Sequence, residues 1–116
     1  MKHKYHHGDL ANSLVTATVS LLQTRGVSQL SLREVARAAG VSHGAPAHHF
    51  GDKAGLLTAV AIQGYRLLAA QLMESQTLPG RTREQRLLDA GFAYIRFALS
   101  QTAYFNVMFQ PALTHS

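Results

Sequence analysis

The chain contains no cysteine and no tryptophan. The missing cysteine excludes a disulfide framework and a thiolate zinc site. Acidic residues are also scarce: 6 Asp and Glu stand against 11 Lys and Arg in 116 residues, for a formal net charge of +5. Nothing approaches ~18 consecutive apolar residues, which predicts no membrane span. No apolar stretch follows the early basic residues, which argues against a secretory signal. A cytoplasmic location is the default expectation. No glycine-rich phosphate loop occurs, and no strand-turn-helix context supports a nucleophile elbow. The few acids Asp9, Glu34 and Asp52 are best used as helix caps, so an enzyme is not expected.

What is present suits a packed globule, with 47% apolar residues. The length holds one modest domain, or a small domain plus part of another. The basic balance points to an anionic partner, nucleic acid first and an acidic membrane surface second. Solubility alone is the simpler reading of that charge.

The segment SLREVARAAGVSHGAPAHHFGDK, Ser31 to Lys53, is the most informative. Ser31 and Glu34 form an S-x-x-E capping box that starts a helix near Leu32. Val35, Ala36 and Ala39 give it a small apolar face. Gly40 ends it, since a left-handed residue costs least at glycine. Val41 can plug the turn, and Ser42 can cap a further helix near 43–49. Two short helices around a glycine-containing turn are the plan of a helix-turn-helix, whose second helix enters the DNA major groove.

Around this segment the pattern is helical throughout. MKHKYHHG is a polar, basic arm. Asp9 is expected to cap a first helix to about Arg25, with Leu10, Leu14, Ala17, Leu21 and Leu22 on one face and Gly26 at its close. Asp52 caps a helix over 53–75, with Leu56, Leu57, Val60, Tyr65, Leu68 and Leu72 as its apolar positions. Pro79 and Gly80 mark a turn in TLPGRT. Thr82 and Gln85 form a second capping box, and the next helix runs to about Ser100 with Leu88, Phe92, Ile95 and Leu99 as its buried stripe. A last helix near 102–110 carries Tyr104, Phe105, Met108 and Phe109 before Pro111 stops it. The expected class is all-α.

The strings A-x-x-A-G-V-S, G-A-x-x-x-H-F and x-x-K-x-x-L-L, with YHHGDL before them and F-x-x-M-F-x-P-x-L after, resemble the TetR-type transcriptional regulators. The resemblance implies a three-helix helix-turn-helix DNA-binding domain over 1–55, followed by the first helices of a helical regulatory domain, a partial ligand-binding and dimerisation unit over 56–116. It implies a homodimer on double-stranded DNA with a pseudo-palindromic operator, a small-molecule effector, and repression as the commoner behaviour. Candidate DNA-binding residues are Ser42, His43, Gly44, Ala47 and His48 on the reading helix, Arg33 at the preceding helix start, Lys53 where the family places a phosphate-binding lysine, and Lys2 and Lys4 on the arm. The family commonly has a phosphate-touching tyrosine where this chain has Ala47. Candidates for the effector pocket are Leu68, Leu72, Phe92, Ile95, Leu99 and Phe105, with ordinary core packing as the competing reading. No metal or cofactor is expected, because the histidine pairs His6/His7 and His48/His49 lack the i, i+4 spacing of a helical zinc site. The alternative reading is a helical interaction module that pairs with another regulator chain and does not bind DNA.

Overall fold

Helix starts fall where polar side chains can occupy orphan backbone N–H groups. In the computed structural model, which describes residues 7–110, the Ser31 hydroxyl accepts from Glu34 N at 3.1 Å and the Glu34 carboxylate accepts from Ser31 N at 3.3 Å. The same reciprocal pair joins Thr82 and Gln85 at 3.1 and 2.9 Å. Asp52 Oδ1 accepts from Gly55 N at 2.8 Å. These caps open α2 (Leu32–Ala39), α5 (Arg83–Ser100) and α4 (Lys53–Ser75). The remaining helices are α1 (His7–Leu22), α3 (Ala45–Phe50) and α6 (Thr102–Met108), with a 3₁₀ turn at Val27–Gln29. The described residues contain no strand, so the all-α expectation holds. Gly40 ends α2 in the left-handed region at φ 72°. Lys2, Lys4 and Pro111 lie outside the described residues.

The long α4 is the axis of the fold. It packs against α1, α3, α5 and α6. Leu14, Val35, Leu56, Val60, Phe97 and Val107 are fully buried in one cluster that spans all but α3. By length and composition α4 is apolar enough to cross a membrane. The sequence reading missed this because Gln63 and Arg66 interrupt the apolar run. Its buried positions are the contact points of the helices around it, the pattern of a core helix.

Several boundaries differ from the sequence expectation. Asp9 lies inside the first turn of α1 rather than before it, where an acid still complements the positive helix end. The helix stops at Leu22, not Arg25. Gln23 N and Thr24 N revert to three-residue bonds with the carbonyls of Ser20 and Leu21. Arg25 leaves the helix line and pairs with Glu34, and Gly26 precedes the 3₁₀ turn. In α4, Tyr65 is 46% exposed; its hydroxyl donates to the Met108 carbonyl at 3.1 Å. Gly64 is buried beside it, where a Cβ would come within 2.7 Å of Met108 Sδ. That close approach seats α6 on α4.

The largest correction concerns α5. Leu88, Phe92, Ile95 and Leu99 were expected to be its buried stripe, yet they are 59, 57, 53 and 77% exposed. Ala93 and Phe97 are buried instead. Polar bonds set this rotation. Arg86 Nη1 donates to the Gln76 carbonyl at 2.8 Å and the Gln76 amide donates back to the Arg86 carbonyl at 3.0 Å. Arg81 forks onto both oxygens of Asp89 at 2.9 and 2.6 Å. Arg86, Asp89, Ala93 and Phe97 recur at helical spacing on one face, so the clamps turn that face inward.

Arg25 holds the Glu34 carboxyl below its ordinary value, and Arg81 does the same for Asp89. A depressed carboxylate contributes stability above its unfolded pKa and loses it as pH falls through the folded one. The melting temperature should therefore be flat at neutral pH and drop as acid protonates these groups. Arg81→Ala should flatten part of that drop in a thermal melt series, and an unchanged acid limb would count against the Asp89 clamp.

Candidate nucleic-acid interface

The candidate surface is built by α2, the turn after it and α3. Val41 reaches back to the core, and its N–H bonds to the Ala36 carbonyl at 3.0 Å, which closes the turn. The next helix was expected to start at Ser42. It starts at Ala45 instead, with Gly44 in the cap position and no side-chain cap. Pro46 explains the shift. A cap at residue 42 would need the residue-46 N–H for the first helical bond, and proline has none. With Gly44 as cap, that bond comes from His48 N to the Gly44 carbonyl at 2.8 Å. Pro46 then sits in the first turn, where no donor is required.

This register decides which side chains face out. Pro46 is fully buried, and His49 and Phe50, three and four residues on, are half-buried. The His49 and Phe50 rings meet edge-on at 4.7 Å. These three form the inner face of α3 against α2 and α4. Ser42, His43, Gly44, Ala47 and His48 are all exposed. They make a short outward strip on the turn and the first turn of α3. Pro46 as an anchor escaped the sequence reading, although its spacing to His49 and Phe50 is the signal that marks it.

Arg33 is exposed on α2. Arg37, one turn further along the same helix, is exposed as well and was not among the sequence candidates. The i, i+4 spacing of Arg33 and Arg37 was the available clue. Arg25 is not available to a ligand, because it is engaged by Glu34. Lys53 is half-buried at the first position of α4. The Asp52 carboxylate occupies one N–H of that helix start and adds a negative charge beside it. An anion there would depend on the ammonium of Lys53 more than on the helix end.

The six pocket candidates do not converge. Leu68 is buried and Leu72 and Phe105 pack against the core, whereas Phe92, Ile95 and Leu99 point outward. Two open clefts of about 370 and 300 Å³ lie elsewhere, between the end of α1 and α6, and share Leu22, Ala103 and Asn106. Among the described residues, no three His, Asp or Glu side chains are grouped to hold a metal ion.

Residues 14–60, which span the core of α1 through the first turns of α4, match the family model described as bacterial regulatory proteins, tetR family. A curated protein of Vibrio campbellii, HTH-type transcriptional regulator BetI, is 36% identical over 75 residues. That stretch makes up 64% of this chain and 38% of the relative, so the match spans well under half of that protein.

Proposed function

We propose that this chain, whose residues 14–60 match the model of the tetR family of bacterial regulatory proteins, is a DNA-binding transcriptional regulator whose α3 strip reads the major groove. The observation that carries the proposal is the sorting of α3: Pro46 is buried while Ser42, His43, Gly44, Ala47 and His48 stand outward. Histidine can donate to phosphate oxygens or guanine acceptors, and Gly44 lets the backbone approach closely. Arg33, Arg37 and Lys53 are the proposed phosphate contacts beside the strip, with Lys2 and Lys4 of the arm beyond it. Residues 1–55 serve as the DNA-binding unit and 56–116 as the start of a regulatory unit.

The proposed working form is a homodimer, with two strips spaced near one DNA turn, ~34–36 Å, on a pseudo-palindrome. Repression follows if an effector favours a dimer geometry that no longer fits that spacing. Release is then a population shift away from the DNA-bound form.

Titration of labelled duplex against salt tests the reading. Affinity should fall steeply as salt rises, and Lys53→Ala should reduce the log–log slope by about one unit. A salt-independent affinity would count against this placement. The exposed apolar face of α5 favours a second reading, a helical module that pairs with another chain; a chain silent towards DNA at low salt would support it.

A further inference from the structure

We propose that duplex binding at the α3 strip is coupled to proton uptake: His43 and His48 become imidazolium as they meet the acceptor groups of DNA, so affinity climbs as pH falls from about 8 to about 6. The inference rests on the regulator reading above and adds a regulation to that same site.

The first ground is what the strip contains. Ser42, Gly44 and Ala47 carry no group that ionises in this range, so the two imidazoles are its titratable side chains. The strip holds no Lys, Arg, Asn or Gln. A duplex presents acceptors at every phosphate, and guanine adds N7 and O6 in the major groove. A neutral imidazole has one donor and one acceptor, and its lone pair finds no donor on a phosphate. Imidazolium has two donors and no acceptor. Its two N–H groups leave opposite sides of the ring, so one charged ring can bridge a phosphate and a base edge. Contact with DNA therefore selects the charged form.

The second ground is that the fold makes no other use of these rings. His43 and His48 are exposed, and among the described residues neither pairs with a carboxylate. They do not gather with a third ligating side chain to hold a metal ion either. Their neighbour His49 differs, being half-buried with its ring edge-on to Phe50.

Charge around the strip is the third ground. α3 packs against α2 and α4. α2 carries Arg33, Glu34 and Arg37, and α4 begins at Lys53 with Asp52 as its cap. Arg66 and Glu74 of α4 lie ~20 Å or more beyond Lys53, at 1.5 Å per residue. Glu34 is paired with Arg25, and Asp52 accepts from Gly55 N. Three cations thus stand against one capping carboxylate and one paired one. Like charges oppose imidazolium, whereas phosphates favour it. The duplex, not the protein, supplies the anions that charge the rings.

The full chain is titrated with a labelled duplex of random sequence at fixed ionic strength. Affinity should rise on the order of 10-fold from pH ~8 to pH ~6. The log–log salt slope should be steeper at the lower pH by about one to two units, one for each charged ring. Calorimetry in two buffers of different ionisation enthalpy should show net proton uptake near neutral pH. The double variant His43→Gln, His48→Gln keeps an N–H donor at each position but cannot ionise, so its affinity should be flat over this range. If the double variant fails to fold, each single variant should remove about half of the uptake. A pH dependence that survives these substitutions would assign the protons to His49 or to the arm and overturn the proposal. Salt-dependent binding with equal affinity at both pH values would overturn proton uptake alone. A chain that binds no duplex at either pH would overturn the regulator reading with it.

Discussion

Phe97→Ala should lower the stability of the folded chain by about 3–5 kcal/mol, the usual cost of removing a fully buried aromatic ring. Phe97 has no exposed surface and sits in the cluster with Leu68, Val107 and Met108. A domain of this size is stable by roughly 5–15 kcal/mol in total, so the variant should sit near its unfolding threshold. Phe92→Ala, five residues earlier in the same helix, should cost much less at concentrations where the chain is monomeric, because that ring is 57% exposed. Each kilocalorie shifts the melting temperature by about 4 °C in a chain of this length, so a pair of thermal melts separates the two. Equal losses would mean that α5 is rotated away from the orientation set by Arg86 and Asp89.

Gly55→Ala should be destabilising by about 3 kcal/mol, at the upper end of the usual overpacking range. Helix propensity alone predicts the opposite, a gain near 1 kcal/mol in the first turn of α4. The sign reverses because a Cβ at Gly55 would collide with the carbonyl oxygen of Phe50 and lie 3.1 Å from its carbonyl carbon. That backbone cannot swing aside as a side chain would. Gly51 follows Phe50 at φ 89° and turns the chain sharply from α3 into α4. Pushing this bend apart would displace Lys53 relative to the α3 strip, so duplex affinity should fall along with stability. A chemical denaturation curve and one binding isotherm check both halves. A stabilised variant would show that the bend is looser than the structure has it.

These effects also mark how far the sequence could be read. The exposure of Ser42, His43, Gly44, Ala47 and His48 is legible in the sequence, because a glycine-closed turn after a capped helix leaves few choices for the residues that follow. The start of α3 lies two residues beyond the one the sequence predicts, because Pro46 lacks the N–H that a cap at Ser42 would need. The stripe on α5 was misassigned for a different reason. Both of its faces carry apolar residues at helical spacing, and periodicity alone does not say which one is buried. The polar pairs that decide it, Gln76 with Arg86 and Arg81 with Asp89, join residues eight to ten apart across a turn. Such pairs give no local signature.

By itself the amino-acid order determined the all-α class, the helix starts at Ser31, Asp52 and Thr82, the turn at Gly40 and the basic charge balance. Each follows from interactions within about four residues or from composition, which no distant contact can revise. Tertiary structure alone decided that Pro46 is an anchor, that Gly55 and Gly64 are points of close approach, and that α5 turns Phe97 inward and Phe92 outward. Those outcomes depend on what lies across the gap between helices, and that neighbour comes from elsewhere in the chain.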